Sequence, residues 1–181
     1  MIDRTKLVER AGDAFRRRGF EGTSLSHLVE ATGLQRASLY HHFPGGKEEI
    51  ARAAMQRVDE QFAEYILEPL SEGVAVKERV VKIGARLTEF YAKGEKACLL
   101  NAFSFDECTT ELREHVGNSF EALLNAFAKL AGESGFSASE ARHRAEDAMI
   151  RIQGALVFAR AGKNTQPFLR VIGELPELLT K

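Results

Sequence analysis

The chain has 181 residues, 44% of them hydrophobic and 28% charged, with four prolines, two cysteines and a net charge of −1. No apolar run approaches the roughly 20 residues that cross a bilayer, and the start MIDRTKLVER has no signal-peptide-like stretch. Two cysteines are too few for a disulfide framework, so a cytoplasmic globular protein without membrane attachment is expected, and the near-neutral total excludes a chain that grips nucleic acid by bulk charge alone.

Helical periodicity dominates from end to end. Leu7, Val8, Ala11, Ala14 and Phe15 share one face of a first helix. Asp3 can cap its start, Arg16 to Arg18 oppose the dipole at its end, and Gly19 suits a left-handed C′ position. Ser24 is a good N-cap for a second, short helix to about Thr32, with Leu25, Leu28 and Val29 inward and Gly33 as its break. A third short helix is predicted over 35–42, with Leu34, Leu39 and Phe43 inward, and Pro44-Gly45-Gly46 ends it. A long fourth helix follows over 47–67, aligning Ile50, Ala54, Val58 and Phe62. Beyond Pro69 the same period predicts helices over 75–92, 97–107, 110–131, 139–161 and 167–179, with an N-cap at Ser137 or Ser139. Nine helices and no strand make an all-α chain.

Two short helices joined at Gly33 have the geometry of a helix-turn-helix, whose second helix enters the major groove. The residues meet its physical demands. Leu25, Leu28, Val29, Leu34, Leu39 and Phe43 can lock against Val8, Ala11 and Phe15, while Gln35, Arg36 and Ser38 keep the reading edge polar. Ser24, Tyr40, His42 and Lys47 are placed to hold phosphates. Charge agrees in direction: residues 1–47 carry eight Lys and Arg against five acids, a local +3 that leaves −4 for the rest.

The stretch GFEGTSLSHLVEATGLQRASLYHHFPGGKEEIARAAM closely resembles the DNA-binding domain of the tetracycline-repressor (TetR) family of transcriptional regulators. The late GALVFARAGKNTQPFLRVIGELPELL is similar to the last two helices of a subgroup with the same HHFPGGKE joint. The resemblance implies an N-terminal helix-turn-helix DNA-binding domain (1–46) and a helical effector-binding and dimerisation domain (47–181). It implies a homodimer on a palindromic operator, released when a small-molecule effector moves the fourth helix. Carried over by position, base contacts fall to Ser26, Gln35, Arg36, Ala37, Ser38 and His41, and phosphate contacts to Ser24, Tyr40, His42 and Lys47. The chain departs from the family at Gln35, where serine or threonine is usual, and at Ala37, where glycine or proline is.

The middle of the chain is generic amphipathic helix. Phe62, Phe90, Phe103, Phe105, Phe120 and Phe127, with Tyr91, read mainly as core, and part of this set is expected to line a pocket for an apolar or aromatic effector. Arg86, Asn101, His115 and Gln153 are the polar candidates to orient it. Cys98 and Cys108 read as small buried hydrophobes, with a thiol-reactive sensor as the sharper alternative. The small-residue stripe Ala145, Ala148, Gly154, Ala155 and Ala159, with Phe168, Leu169, Ile172, Leu175 and Leu178, is the expected dimer interface, set against ordinary packing within one subunit.

No cofactor or metal is expected. His41 and His42 are neighbours on a helix and point about 100° apart, and no H-E-x-x-H or Cys/His spacing accompanies them. Glu48 follows Gly46-Lys47 where a P-loop needs Ser or Thr. The joint reads instead as a phosphate clamp, with Lys47 and free backbone N–H groups at a helix start whose dipole Glu48 and Glu49 favour. An all-helical enzyme would leave the helix-turn-helix unexplained and finds no nucleophile–base set here. The pattern also allows an activator in place of a repressor. A helical interaction or small-molecule-binding module without DNA binding is a further reading, against which Arg36, Tyr40, His42 and Lys47 argue.

Overall fold

Asp3 accepts from the Thr5 N–H at 3.0 Å and so starts α1 (Arg4–Arg18). Ser24 starts α2 (Leu25–Thr32), and α3 (Arg36–His42) follows after Gly33, the expected break, which adopts the left-handed φ 70°, ψ 14°. The computed structural model describes residues 3–70, 73–104 and 108–181. Among these the remaining helices are α4 (Gly46–Phe62), α5 (Val76–Phe90), α6 (Leu99–Ala102), α7 (Thr110–Glu133), α8 (Ala138–Ala161) and α9 (Gln166–Thr180). The described chain is all-helical, without strands.

The chain divides into two compact units, residues 1–61 with 99–118 and residues 62–98 with 119–181. In the first, Phe15, Leu28, Leu39, Phe43 and Ile50 are fully buried and bind α1 to α4 into one core. Thr32 locks the turn between α2 and α3: its hydroxyl donates to the Leu28 carbonyl at 2.7 Å and accepts from the Leu34 N–H at 3.4 Å. Phe103, just beyond α6, closes the core edge-on against Phe15, ring centroids 5.2 Å apart. An ion pair and a hydrogen bond tie the start of α7 to α4, Arg52 with Glu111 at 3.1 Å and His115 with Asp59.

The second unit is built on α9, which packs against both α8 and α5. Gly94, in a short 3-10 turn after α5, shows why that turn needs glycine. It sits at φ +101°, and a Cβ there would lie 2.8 Å from the Phe168 Cβ. Arg79 is buried, donates to the Leu70 carbonyl at 2.8 Å and pairs with Glu133 of α7.

Three local expectations change. Gly19 has positive φ but ψ 179°, outside the left-handed helical region, while its carbonyl accepts from the Thr23 hydroxyl at 2.6 Å. Of the expected 97–107 helix, the described residues hold only the four of α6, and residues 105–107 lie outside them; Ser104 follows α6, donating its hydroxyl to the Asn101 carbonyl at 2.9 Å. The expected fourth helix does run on past Phe62, but as a π-helical turn over Ala63–Leu67 before a last turn over Glu68–Leu70. In it the Glu68 N–H reaches the Ala63 carbonyl, five residues back. Pro69 has no N–H to donate and its ring crowds the carbonyl of Tyr65, so a widened turn just before it relieves both.

Candidate nucleic-acid interface and sensing cavity

The exposed edge of α3 is built from residues the core does not want. Leu39 is buried, and Leu34 and Phe43 flank it on the inside, while Arg36, Ala37, Ser38, Tyr40 and His41 are exposed. Gln35 occupies the N-cap and makes no side-chain cap bond, so its amide stays available at the helix start. Ser24 and Ser26, at the start of α2, are exposed too. All ten sequence-predicted DNA residues lie in the first compact unit.

The cap of α2 involves a residue that the sequence pattern did not single out. The Ser24 hydroxyl accepts from the His27 N–H at 3.3 Å, and His27 Nδ1 accepts from the Ser24 N–H at 3.2 Å. This reciprocal cap usually uses Glu or Gln in the third position, and S-x-x-H was the available signal. With Nδ1 accepting, the proton of the neutral ring sits on Nε2.

The joint after α3 is more occupied than its sequence implied. The Tyr40 ring lies beside Gly46, 3.7 Å from where a Cβ would stand, and is 41% exposed. The Lys47 ammonium lies 4.2 Å from the Phe20 ring centroid and 3.9 Å from the Glu21 carboxylate. Glu49 accepts from the Gly45 N–H at 2.7 Å and lies 3.9 Å from Arg4, whose guanidinium stacks over Phe43 at 4.9 Å. One free N–H of this helix start is therefore capped from within the chain. His42 is half-buried, its ring 6.4 Å from that of Phe43.

The second unit holds a cavity with about 250 Å³ of atom-free space, its open mouth included. Phe62 and Ile66, from the end of α4 and its π turn, form one wall. Leu87 and Tyr91 come from α5 and its end, and Leu123 and Phe127 from α7. Met149, Ile152 and Gln153 of α8 complete it. Of the predicted effector residues, Phe62 and Gln153 line this cavity. Phe90 packs behind it on Phe62 and Tyr91, at 5.1 and 4.7 Å, and buried Cys98 accepts from the Tyr91 hydroxyl at 3.5 Å. Arg86 sits 5.7 Å from the Tyr65 ring, and half-buried Phe120 is not in the lining. Asn101, Phe103 and His115 belong to the first unit, and Phe105 lies outside the described residues.

The small-residue stripe of α8 is used inside this chain. Ala145, Ala148, Ala155 and Ala159 are buried, as are Phe168 and Leu175 of α9. What α8 leaves exposed is the opposite face: Ile150 (68%), Val157 (49%) and Phe158 (73%), with Gly154 between them. Among the described residues no group of His, Cys, Asp and Glu could hold a metal, and no helix is long and apolar enough to cross a membrane.

A buried helix-turn-helix core that presents a polar reading helix, on an all-helical chain, defines a DNA-binding transcriptional regulator. The family model for bacterial regulatory proteins, tetR family, matches residues 7–54, and that for the LmrA/YxaF-like C-terminal domain of transcriptional regulators matches residues 75–174. The chain belongs to the TetR family of transcriptional regulators, with a C-terminal domain of the LmrA/YxaF-like kind. It is similar to the HTH-type transcriptional regulator LmrA of Bacillus subtilis, 26% identical over 98% of this chain and 97% of that one. The fold matches a TetR regulator from Legionella pneumophila with TM-score 0.85, at 17% identity over 96% and 95% of the two chains. It also matches a cysteine mutant of the TetR family regulator CifR complexed with a 26-base-pair operator DNA, TM-score 0.76, at 23% identity over 98% and 96%. Membership places the chain among transcriptional regulators rather than enzymes.

Proposed function

We propose that the chain is a homodimeric repressor that holds a palindromic operator and releases it when a small apolar or aromatic effector enters the second unit. The observation that carries the DNA half is the division of α3 into a buried edge and an exposed polar one. In this reading Gln35, Arg36, Ala37, Ser38, His41 and Ser26 take base edges, and Ser24, Tyr40, His42 and Lys47 take phosphates. Residues 1–46 read, and residues 47–181 sense and dimerise. The HHFPGGKE joint, with Tyr40 against Gly46, marks the subgroup.

The exposed face of α8 supports a dimer through the last two helices. Ile150, Gly154, Val157 and Phe158 fall at one helical face, which a second copy would cover across a two-fold axis. The cavity supports the effector half. It has room for about one water-sized body, so a larger ligand displaces its walls. One wall, Phe62 and Ile66, belongs to the helical run that starts at Gly46, directly after the reading joint. Entry of a ligand is then a push on α4.

Fluorescence anisotropy with the protein's own upstream DNA tests the reading. Specific binding that weakens steeply with salt is expected, because phosphate contacts release counterions. No preference for that DNA over unrelated sequence would sink it.

A further inference from the structure

One residue of the cavity lining, Gln153, carries a polar atom left over. Gln153 Oε1 is buried and has no hydrogen-bond partner among the described residues. A buried acceptor without a donor is uncommon and usually marks a missing partner. The Tyr91 hydroxyl does not supply it, since it donates to Cys98 Sγ. A water finds few partners here, because a buried water needs two or more polar groups, and apart from Gln153 and the Tyr91 hydroxyl, whose proton goes to Cys98, the lining side chains are aliphatic, thioether or aromatic. No charged side chain is among the described residues that line the space, so an ionised ligand would be stripped of water without compensation. Phe62, Tyr91 and Phe127 offer ring surfaces, and Met149 can repack around an irregular guest.

We infer that this cavity takes a neutral, mainly apolar ligand of the phenol type, which donates one hydrogen bond from its hydroxyl to Gln153 Oε1. The inference rests on the effector reading above and names the chemistry of its ligand. Selectivity then has a physical source. A ligand with the donor satisfies an oxygen that is otherwise orphaned, while an isosteric hydrocarbon leaves it so.

The test uses the full chain and 4-ethylphenol, against 4-ethyltoluene, which replaces the hydroxyl by a methyl of nearly equal size, and 4-ethylanisole, which accepts but cannot donate. Dissociation constants are measured by calorimetry for the wild type, Gln153→Leu and Gln153→Met, each checked for folding by circular dichroism. The wild type is expected to favour the phenol over both analogues, and the phenol/toluene ratio is expected to shift by roughly tenfold towards the hydrocarbon in both variants, as for one net hydrogen bond. An equal affinity for phenol and anisole, no binding of any probe, or an unchanged ratio in the variants overturns the inference. Operator binding is followed in parallel. If saturating 4-ethylphenol binds through Gln153 yet leaves operator affinity untouched, the release reading fails while the ligand inference stands; if the DNA is released by a compound that ignores Gln153, the reverse holds.

Discussion

Ser24 and His27 cap each other: each side chain receives the other's backbone N–H, at 3.3 and 3.2 Å. The helix they open, α2, has only eight residues, a length at which a helix depends on its ends and its packing. Ser24→Ala is expected to lower unfolding free energy by about 1 kcal/mol. His27→Gln keeps an acceptor of the usual kind and should stay within about 0.5 kcal/mol of wild type, as surface changes generally do. Urea melts decide; equal losses in the two variants would show that the imidazole bond is not reproduced by the amide.

On the reading helix, Arg36 and Tyr40 should separate specificity from affinity. Arg36 is exposed at the first turn of α3, where a guanidinium can address guanine O6 and N7 together. Arg36→Ala is expected to cost about 1–3 kcal/mol on the operator and to flatten the preference at one base pair. Tyr40→Phe should weaken every sequence alike, because a phosphate contact carries no base information. A panel of single-base operator variants measures both. If Arg36→Ala lost affinity uniformly, its assignment to a base edge would be wrong.

The DNA-facing half was legible because its signals are local. Ser24, Gly33 and the Pro44-Gly45-Gly46 break act within a turn of where they stand, so α2 and α3 fall within a residue of their expected ends. The body was legible only as helices. Phe103 and Phe62 look alike in a periodic pattern, yet one closes on Phe15 and the other lines the cavity. His115 reads as a polar candidate to orient an effector until Asp59, 56 residues away, is brought to it. The alanines of α8 announce close helix approach, but nothing in their spacing says whether the approaching helix is α9 of the same chain or a second copy. The π turn was hidden for a related reason: it answers Pro69 from two to six residues upstream, while the apolar stripe runs through it unbroken.

Arg79 and Glu133 make a pair whose two halves are unequally buried. The Arg79 side chain is 8% exposed and Glu133 34%, so the carboxylate keeps some water while the guanidinium has little beyond the Leu70 carbonyl and its partner. Glu133→Ala strands a buried cation and is expected to cost about 3 kcal/mol, at the low end for a broken buried pair. Replacing both, as Arg79→Met with Glu133→Leu, should recover most of that loss, because no charge is then left without compensation. Thermal unfolding of the single and double variants checks this; a double variant as unstable as the single one would mean that packing, not charge, is what Arg79 supplies.

Phe158 is 73% exposed on the apolar face of α8, and a solvated phenylalanine there gives the chain nothing by itself. If a second copy covers it, Phe158→Arg puts a guanidinium group from each copy into the interface, where it is desolvated without a partner. Sedimentation velocity at micromolar concentration should then show a dimer for the wild type and a monomer for the variant. Circular dichroism should be unchanged, since the side chain takes no part in the core. The operator is a sensitive second readout. Two linked heads bind two half-sites with an effective concentration that separate heads lack, so the monomer should lose far more affinity for a full palindrome than for a half-site. A wild type that sediments as a monomer, or a variant that still dimerises and still prefers the palindrome, would move the interface away from this face of α8.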